Sequence, residues 1–374
     1  MKAMCEILRH VPTPPLWKVD WEGAVRQYEI LGTLAGCHQD EEWHGEGDVA
    51  VHSRRVCEAL AGLEAWRLRD ERERSIIFTA ALLHDIGKPS KTRMEGGRIR
   101  SRGHSRKGEM LARVLLWEMG VPIMIREQIA GLIRSHQVPF FLIDRPDRER
   151  LLFELSQSVR LDYLGLVAEA DARGRVCADG TRLLENIALF LQYAREEGCL
   201  DRPREFPSAL SRFEYFARDD RSANYLAYDN TRVDTVVMSG LPGAGKDTWI
   251  AENLPRWKVI SLDRLREEMK IAADCPQGRV VQRAREIARE FLRRGESFVW
   301  SATNTSREMR SNVVRLLRSY NARVRIVYVE APAGELYRRN RERKRVVPEE
   351  VITRLLNRWE PPSITEGHEV DWVT

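Results

Sequence analysis

The chain has 374 residues, of which 43% are hydrophobic and 31% charged, so a collagenous, low-complexity or wholly disordered protein is excluded. This length predicts two domains or three, each large enough for its own core. The 61 Lys and Arg against 56 Asp and Glu leave a net charge of +5, which is compatible with a polyanionic partner but too small to demonstrate one. No apolar stretch approaches the roughly 20 residues of a membrane helix, and the N-terminus lacks a secretory pattern, so we expect a cytoplasmic protein with no membrane partner.

The six cysteines are scattered along the chain without any Cys-x-x-Cys pair. Their spacing indicates neither a disulfide framework nor a thiolate zinc site. A bound metal would therefore have to use other side chains.

Two hydrophobic patterns divide the chain. Over about residues 20–200 most apolar residues recur every three or four positions, which predicts an all-helical domain at residues 1–200. Over residues 233–374 short apolar runs alternate with helical stretches, which predicts an α/β domain with a parallel sheet. Residues 201–232 carry prolines, a charge run and aromatic side chains and are interpreted as a linker, although Phe213 and Tyr215 could pack on either neighbour. The predicted fold class is thus multidomain, with one α domain and one α/β domain.

Ionisable side chains occupy core-facing positions of the predicted helices. His52 lies on the same stripe as Val49 and Val56, and other histidines and aspartates continue similar stripes further along the chain. The set consists of His52, His84, Asp85, His104, His136 and Asp171.

Each member of this set also has a simpler interpretation. A single buried histidine usually bonds a backbone carbonyl, and a single aspartate often caps a helix. Together they are harder to explain, because each unpaired polar group buried in a core costs several kcal/mol. One or two shared divalent cations would remove that cost.

The order of these residues resembles the HD phosphohydrolase superfamily, over about residues 40–195. The sequences HDIGKP and ADARGR are similar to HD domains associated with nucleic-acid enzymes. The resemblance implies one metal held by His52, His84, Asp85 and Asp171, with Asp85 bridging to a second metal held by His104 and His136. Ligand sets rich in imidazole suit transition metals such as Mn, Ni, Co or Fe. Such a centre lowers the pKa of a bound water and neutralises the charge of a phosphoester.

Three neighbouring residues have open roles. Lys88 would either contact a substrate phosphate as a catalytic residue or end a helix and face solvent. Asp48 and His44 precede the first ligand by one and two helical turns, and they would support the ligands or line the pocket.

The segment TVVMSGLPGAGKDTW matches the GxxxxGK pattern of a phosphate-binding loop, in the required order of strand, loop and helix. Backbone amides of the loop and the start of the helix would surround the phosphates of ATP or another NTP, and Lys246 would bridge the terminal phosphates. Asp247 stands where Ser or Thr is usual, so Thr248 is the expected Mg²⁺ partner. The predicted nucleotide-binding residues are Gly240, Gly243, Ala244, Gly245, Lys246, Asp247 and Thr248.

Two later segments carry charges suited to phosphoryl transfer. Asp263 follows the second predicted strand, where it would either cap the helix 264–272 or accept a proton from an acceptor hydroxyl, and Arg266 lies one turn later. Arg339 and Arg343 are spaced to share a helix face, which is either a solvated surface or a lid over the γ-phosphate.

These segments resemble the P-loop 5′-OH polynucleotide kinases of end-healing enzymes, over about residues 233–360. The resemblance implies that Asp263 is the general base, that Arg266 contacts a substrate phosphate, and that Arg339 and Arg343, followed by a basic run, form the lid. Thr303 and Asn304 fall in the strand-end motif of that family and would contact substrate.

The whole chain resembles the bacterial bifunctional enzymes that join an HD domain to a polynucleotide kinase. The resemblance implies 5′-OH phosphorylation of RNA or DNA ends and hydrolysis of a terminal 2′-phosphate or 2′,3′-cyclic phosphate. The sequence contains neither KxDG nor DxDGT, so a separate ligase would have to join the ends. Two alternatives remain open: an HD nucleotide phosphohydrolase fused to a small-molecule kinase, and a nucleotide-sensing regulatory protein.

Overall fold

A computed structural model describes residues 9–271, 275–343 and 346–374. The chain forms two compact units, Met1–Glu205 and Phe206–Thr374. Cys5 and the two residues Lys344 and Arg345 that continue the predicted lid lie outside the described residues. No helix in the described ranges has both the length and the apolar character that a membrane crossing requires.

The first unit is built mainly from helices, as predicted. Several begin at aspartates that cap them: Asp48 accepts a hydrogen bond from Val51 N, and Asp70 accepts one from Glu73 N. Asp48 therefore caps a helix and also accepts from Gly36 N; it does not support a ligand. The helices are α1 (Trp21–Gln27), α2 (Val49–Gly62), α3 (Glu64–Arg67), α4 (Glu71–Leu83), α5 (Lys88–Lys91), α6 (His104–Glu118), α7 (Ile123–Ser135), α8 (Val138–Phe141), α9 (Arg148–Ser156), α10 (Leu161–Gly174) and α11 (Gly180–Glu196), with a 3₁₀ helix at Glu29–Leu34.

Helix α10 lies at the centre of this unit and is buried along nearly its whole length. It packs closely on α2, since a Cβ at Gly174 would lie 3.0 Å from the backbone nitrogen of Val56. The turn after α4 packs even more closely on the start of α6, since a Cβ at Gly87 would lie 2.1 Å from the carbonyl oxygen of His104. These two glycines bring the inward-facing histidines and aspartates of different helices together.

The first unit is not entirely helical, which differs from the prediction. Strands β1 (Arg93–Glu95) and β2 (Arg98–Arg100) form an antiparallel hairpin. Gly96 and Gly97 in its turn have φ of 59° and 77°, the left-handed region that glycine adopts without strain. The adjacent glycines were a turn signal that the helical pattern on either side obscured.

The second unit contains five strands, β3 (Val233–Ser239), β4 (Lys258–Ser261), β5 (Phe298–Ser301), β6 (Ala322–Val329) and β7 (Glu369–Val373). They form a parallel sheet in the order β4-β5-β3-β6-β7, which confirms the predicted α/β fold. Strand β3 lies at its centre and leads into the phosphate-binding loop. The helices are α12 (Ala209–Ala217), α13 (Lys246–Asn253), α14 (Leu262–Glu268), α15 (Gly278–Arg294), α16 (Arg307–Arg318), α17 (Ala333–Glu342) and α18 (Glu349–Leu356), with a 3₁₀ helix at Ile364–Glu366.

The segment interpreted as a linker, residues 201–232, differs from that interpretation. The second unit begins at Phe206, and the segment contains α12. Phe213 on this helix is buried in the core of the second unit together with Val237 and Phe298. Phe213 therefore belongs to the α/β unit, because it is part of the core of that unit, whereas Tyr225 and Tyr228 of the same segment are exposed. The edge strand β7 was also not anticipated.

Candidate metal centre and phosphate-binding loop

Three histidines at helix ends hold their imidazoles in the same way. The Nδ1 atoms of His84, His104 and His136 lie 2.7–2.8 Å from the carbonyl oxygens of the residues three positions earlier. A carbonyl can only accept, so each Nδ1 carries the proton and each Nε2 presents a lone pair. The local sequence favours this arrangement for His84 and His136, because they follow the last turns of α4 and α7, whose carbonyls lack helical partners.

The lone pairs point at carboxylates. His84 Nε2 lies 3.2 Å from Asp85 Oδ2, and His104 Nε2 lies 3.3 Å from Asp85 Oδ1. His52 Nε2 on α2 lies 3.2 Å from Asp171 Oδ1 on α10, and His136 Nε2 lies 4.0 Å from Asp171 Oδ2. Five separate helices or helix ends thus bring together all six residues predicted from the sequence.

This arrangement fits a divalent cation. The Nε2 atoms of His52, His84 and His136 are buried and have no hydrogen bond from any residue that the structure describes. A neutral imidazole lone pair and a carboxylate oxygen repel each other at such distances, and a cation between them turns the repulsion into coordination. Nitrogen ligands in this number suit transition metals. When bound, such a metal would activate a water and neutralise charge on a phosphoester.

The ligating atoms form overlapping groups. One comprises His52, His84 and Asp85, another comprises Asp85, His104 and His136, and a third links His84 and His136 with Asp171. Asp85 belongs to both of the first two groups, which is the bridging position that the resemblance implies for it. The division into one or two metals stays a prediction.

Burial shapes the protonation of these groups. It lowers the pKa of His136 to about 3 and also lowers the pKa of His104, which keeps both imidazoles neutral. Burial would lower the pKa of His84 as well, but the charge and hydrogen bond of Asp85, the charge of Asp171 and the carbonyl of Ala81 together raise that pKa.

Lys88 is buried, with 5% of its surface exposed, which rules out the interpretation that it faces solvent. Its Nζ lies 2.7 Å from Asp85 Oδ2 and donates to Gln39 Oε1 at 2.6 Å. The ammonium thus balances a carboxylate of the centre, and its contact with substrate phosphate stays a prediction.

Sequence reasoning missed two residues that hold the ligands in place. Glu46 Oε1 lies 2.8 Å from the Nδ1 atoms of both His44 and His52, while Oε2 accepts from Val176 N. Burial would raise the pKa of Glu46, but its hydrogen bonds with His44 and His52 lower it below the usual range. Arg175 donates to both oxygens of Asp171 at 2.9 and 2.8 Å. The spacings His44-x-Glu46 and Asp171-x₃-Arg175 were the available signals.

In the second unit, the phosphate-binding loop depends on glycine. A Cβ at Gly240 would lie 2.3 Å from Val329 O, and φ is +145° there. Gly243 and Gly245 have φ of +85° and +110°. Helix α13 begins at Lys246, so the amides of Lys246, Asp247 and Thr248 lie in its first turn, where they lack helical acceptors and can bind an anion. Ala244 is buried, whereas Asp247 and Thr248 are exposed.

Lys246 lies within this loop. Its Nζ donates to the carbonyls of Gly240 and Leu241 at 2.8 and 2.9 Å. Burial lowers its pKa to about 8, while the nearby charges of Asp247 and Asp263 oppose this effect. The loop therefore holds an ammonium group beside the amides, and Asp263 is close enough to affect it.

The predicted base and its arginine are in contact. Arg266 Nη1 lies 2.8 Å from Asp263 Oδ1, and Arg266 Nε donates to Gln277 Oε1. Asp263 is exposed and does not cap the helix: Ser261 caps α14, which begins at Leu262 rather than 264. The capping interpretation of Asp263 is therefore wrong. Its exposed carboxylate can be reached by the hydroxyl group of a substrate.

The two predicted lid arginines lie in different surroundings. Arg339 Nη1 donates to Ala244 O at 3.3 Å and Nε to Glu335 at 2.6 Å, so its guanidinium lies against the loop. Arg343 follows the end of α17 in an extended conformation, so the two do not share a helix face as predicted. It still lies near enough to lower the pKa of Lys246.

Thr303 and Asn304 connect strand ends. Thr303 O accepts from Gly240 N at 2.8 Å, and Asn304 Nδ2 donates to Met238 O at 2.8 Å. Asn304 is 5% exposed and is also fixed through its carbonyl, which accepts from the buried Arg310. The structure thus contradicts direct substrate contact by the Asn304 side chain, because its amide is occupied in holding β3 against the end of β5.

Comparisons with known proteins match a domain model to each of the two units. Residues 49–174 match the HD domain model, and residues 236–362 match an AAA domain model. The chain joins an HD domain to a P-loop kinase-like domain. The HD match covers the helices that carry His52, His84, His104, His136 and Asp171, and the AAA match covers the loop around Lys246.

Two curated proteins are similar to parts of this chain. A CC-adding tRNA nucleotidyltransferase of Thermus thermophilus is 41% identical over 73 residues, which are 19% of this chain and 15% of that protein. An L-seryl-tRNA(Sec) kinase of Methanococcus maripaludis is 22% identical over 146 residues, which are 37% of this chain and 57% of that protein. The chain thus spans less than two thirds of the length of either relative.

Proposed function

We propose that this protein repairs nucleic-acid ends, with each unit altering a different end. The P-loop unit transfers the γ-phosphate of ATP, or of another NTP, to a 5′-OH of RNA or DNA. The HD unit hydrolyses a terminal 2′-phosphate or 2′,3′-cyclic phosphate. The proposal is carried by one observation: the chain places a buried imidazole and carboxylate centre and an anion-binding loop, both suited to phosphate chemistry, on one polypeptide.

In the kinase reaction, the acceptor hydroxyl oxygen forms a bond to the γ-phosphorus and ADP leaves. Asp263 takes the hydroxyl proton, and Arg266, which touches Asp263, binds an acceptor phosphate. Lys246 and Arg339 lie at the loop where charge on the transferred phosphate develops. Thr248 in the first turn of α13 would hold Mg²⁺.

In the hydrolase reaction, the buried side chains of the HD centre orient the phosphoester and shield it from bulk water. His52, His84, Asp85, His104, His136 and Asp171 would hold the metal, and Arg175 and Glu46 fix the ligands that they contact. Lys88 balances the charge of Asp85.

The names of both relatives include tRNA, which supports RNA as the class of substrate. The relative named as a kinase also supports a second candidate, in which the P-loop unit phosphorylates a hydroxyl that is not a 5′ end. A cytoplasmic location and a separate ligase partner belong to the end-repair proposal.

The direct test follows label from γ-labelled ATP into a 5′-OH oligonucleotide, with and without the protein. Labelled oligonucleotide supports end repair. Comparing the labelling of an RNA oligonucleotide with that of a DNA oligonucleotide shows which acceptor is preferred. Labelling of mononucleosides alone would replace the proposal with a nucleotide-metabolism enzyme, and binding of ATP and metal without turnover would indicate a sensor.

The hydrolase half is tested separately with RNA that ends in a 2′,3′-cyclic phosphate. Protein treated with chelator and then reloaded with Mn, Ni, Co or Fe should recover hydrolysis with at least one of these metals. Hydrolysis of free nucleotides but not of RNA ends would count against this half alone.

A further inference from the structure

Two short segments of this chain are strongly basic: residues 338–345 of the second unit, with six Lys and Arg and one Glu, and a segment of the first unit. Residues 91–107, here called the basic hairpin segment, contain seven Lys and Arg and one Glu. Their net charge of +6 exceeds the +5 of the whole chain, so the rest of the protein is nearly neutral. The basic residues are Lys91, Arg93, Arg98, Arg100, Arg102, Arg106 and Lys107.

Six of these seven charges are exposed, Lys107 is half-buried, and several of the exposed ones have no acidic partner. Lys91 and Arg100 make no ion pair or side-chain hydrogen bond with any residue of the described ranges, and Arg93 donates only to the carbonyls of Thr92 and Ser90. Arg98 pairs with Glu42 at the surface. Three unneutralised cations in one short segment favour binding of a polyanion. Binding releases the counterions that surround the polyanion, which adds to the affinity.

The strand register adds an independent observation. Arg93 and Arg100 lie directly opposite each other in the β1–β2 ladder. Like charges in that position destabilise a hairpin, and an anion between them relieves the repulsion. The segment therefore carries a local cost that a bound phosphate would remove.

The base of the hairpin is tied to the metal centre by a closed ring of contacts. Asp85 Oδ1 lies 3.3 Å from His104 Nε2, whose Nδ1 bonds Ser101 O at 2.8 Å. Ser101 Oγ bonds Thr92 Oγ1 at 2.8 Å, and Thr92 Oγ1 donates to the carbonyl of Lys88. Lys88 Nζ lies 2.7 Å from Asp85 Oδ2. The hairpin thus begins and ends beside the ligands Asp85 and His104.

We propose that the basic hairpin segment binds the phosphate backbone of a single-stranded nucleic acid and so delivers its 3′ end to the HD centre. This inference rests on the proposed function and sharpens it, because it makes the hydrolase substrate a polynucleotide and not a free nucleotide. A single strand fits better than a duplex, since a terminal phosphate must leave its helix to reach buried ligands.

The test compares two triple variants of the full chain. Lys91→Gln, Arg93→Gln and Arg100→Gln remove three unpaired charges from the hairpin. The control, Arg72→Gln, Arg148→Gln and Arg182→Gln, removes three exposed arginines elsewhere in the same unit. Thermal unfolding of both variants should match the parent protein, which establishes that the folds are intact.

The first readout is hydrolysis. On a short single-stranded RNA with a 2′,3′-cyclic phosphate, kcat/KM of the hairpin variant should fall on the order of tenfold or more at low salt, and the dependence of its logarithm on log salt should weaken by about 2. On a 2′,3′-cyclic mononucleotide, which is too short to touch the hairpin, kcat/KM should not change. The control variant should behave as the parent protein on both substrates.

Each other result has a distinct meaning. Equal loss on RNA and mononucleotide overturns docking, because the hairpin would then shape the centre itself. Unchanged kcat/KM and salt dependence on RNA also overturn docking, and they leave the proposed hydrolase intact. If the parent protein hydrolyses neither substrate, the proposed function fails, and docking is then judged by fluorescence anisotropy: a loss of RNA affinity in the hairpin variant alone supports it, and equal affinities overturn it.

Discussion

The two candidate sites are built in opposite ways. The HD centre collects side chains from five helices or helix ends that are far apart in sequence, and it buries them. The phosphate-binding loop uses one continuous strand, loop and helix, and most of its groups are backbone amides near the surface. A buried group of ligands such as the HD centre is therefore identified from the hydrogen bonds that its side chains make or lack. An exposed anion site such as the loop is identified from its local backbone conformation.

A second comparison makes the same point with histidines alone. His368 in the second unit is also buried, but its Nδ1 accepts a hydrogen bond from Val324 N at 3.0 Å. Its ring therefore satisfies a backbone donor, as an ordinary core histidine does. His84, His104 and His136 of the HD centre instead donate from Nδ1 to carbonyls and present the Nε2 lone pairs to carboxylates, an arrangement that fits a cation.

The largest expected effects separate the two centres. His84→Ala should abolish hydrolysis and lower the bound transition metal, while kinase activity stays unchanged. Lys246→Ala should lower kcat of the kinase by about 10²-fold or more, because a cation at the developing phosphate charge is lost, while hydrolysis stays unchanged. Both activities and the metal content should be measured on each variant. Loss of both activities in either variant would show that the sites depend on each other.

The general base should have the next largest effect. Asp263→Asn keeps the shape of the side chain but cannot take the hydroxyl proton, so kcat of the kinase should fall about 10²- to 10⁴-fold with little change in KM for ATP. Glu268→Gln, an exposed carboxylate at the end of the same helix, is the control. An unchanged kcat for Asp263→Asn would remove Asp263 from the mechanism.

Glu46 tests whether buried contacts around the ligands matter as much as the ligands. In Glu46→Gln one of the two oxygens becomes an amide donor, which must face either Val176 N or the Nδ1 atoms of His44 and His52, and all three of these are donors. We expect metal affinity to fall about 10- to 100-fold, measured by competition with a chelating dye, and the visible spectrum of the cobalt form to shift. Glu41→Gln, an exposed neighbour, should change neither. Equal affinity in both variants would make Glu46 a fold contact only.

His368 should give the smallest effect, on stability alone. Burial lowers its pKa to about 4; the charge of Arg323 acts in the same direction, while Glu214 and Asp229 oppose it. Since the folded pKa lies below the unfolded value, the stabilisation is complete above about pH 6.5 and is lost as pH falls toward 4.

Between pH 7 and 5 this loss is about 2 kcal/mol. The protection factors of amides in β6, which contains Val324, correct for the slower intrinsic exchange at lower pH, and they should fall over that range in the parent protein and less so in His368→Gln. The same pH dependence in both proteins would assign the effect to other groups.

Much of the fold could be predicted from the sequence, because the signals involved are local. The three- and four-residue spacing of apolar side chains fixed the helical unit, and the alternation of strand and helix fixed the parallel sheet. The phosphate-binding loop was predicted almost completely, because its function depends on backbone conformation that Gly240, Gly243 and Gly245 encode locally.

Other features depend on contacts between distant residues. The sequence placed the imidazoles on inward faces, but only the packing of α10 on α2 and of Gly87 on α6 brings their Nε2 atoms to common carboxylates. The roles of Glu46 and Arg175 are defined by which ligand each touches. Likewise, the strand-end motif predicted that Asn304 contacts substrate. Its side chain instead donates a buried hydrogen bond to the carbonyl oxygen of Met238, which gives it a structural role.

The sequence by itself thus determined the kinds of chemical groups and the faces on which they lie, since periodicity and glycine conformation are local properties. Tertiary structure alone decided which lone pairs meet, which charges are balanced, and where the basic hairpin segment attaches. Those outcomes depend on distances between atoms of separate helices, and such distances are set by packing of the whole core.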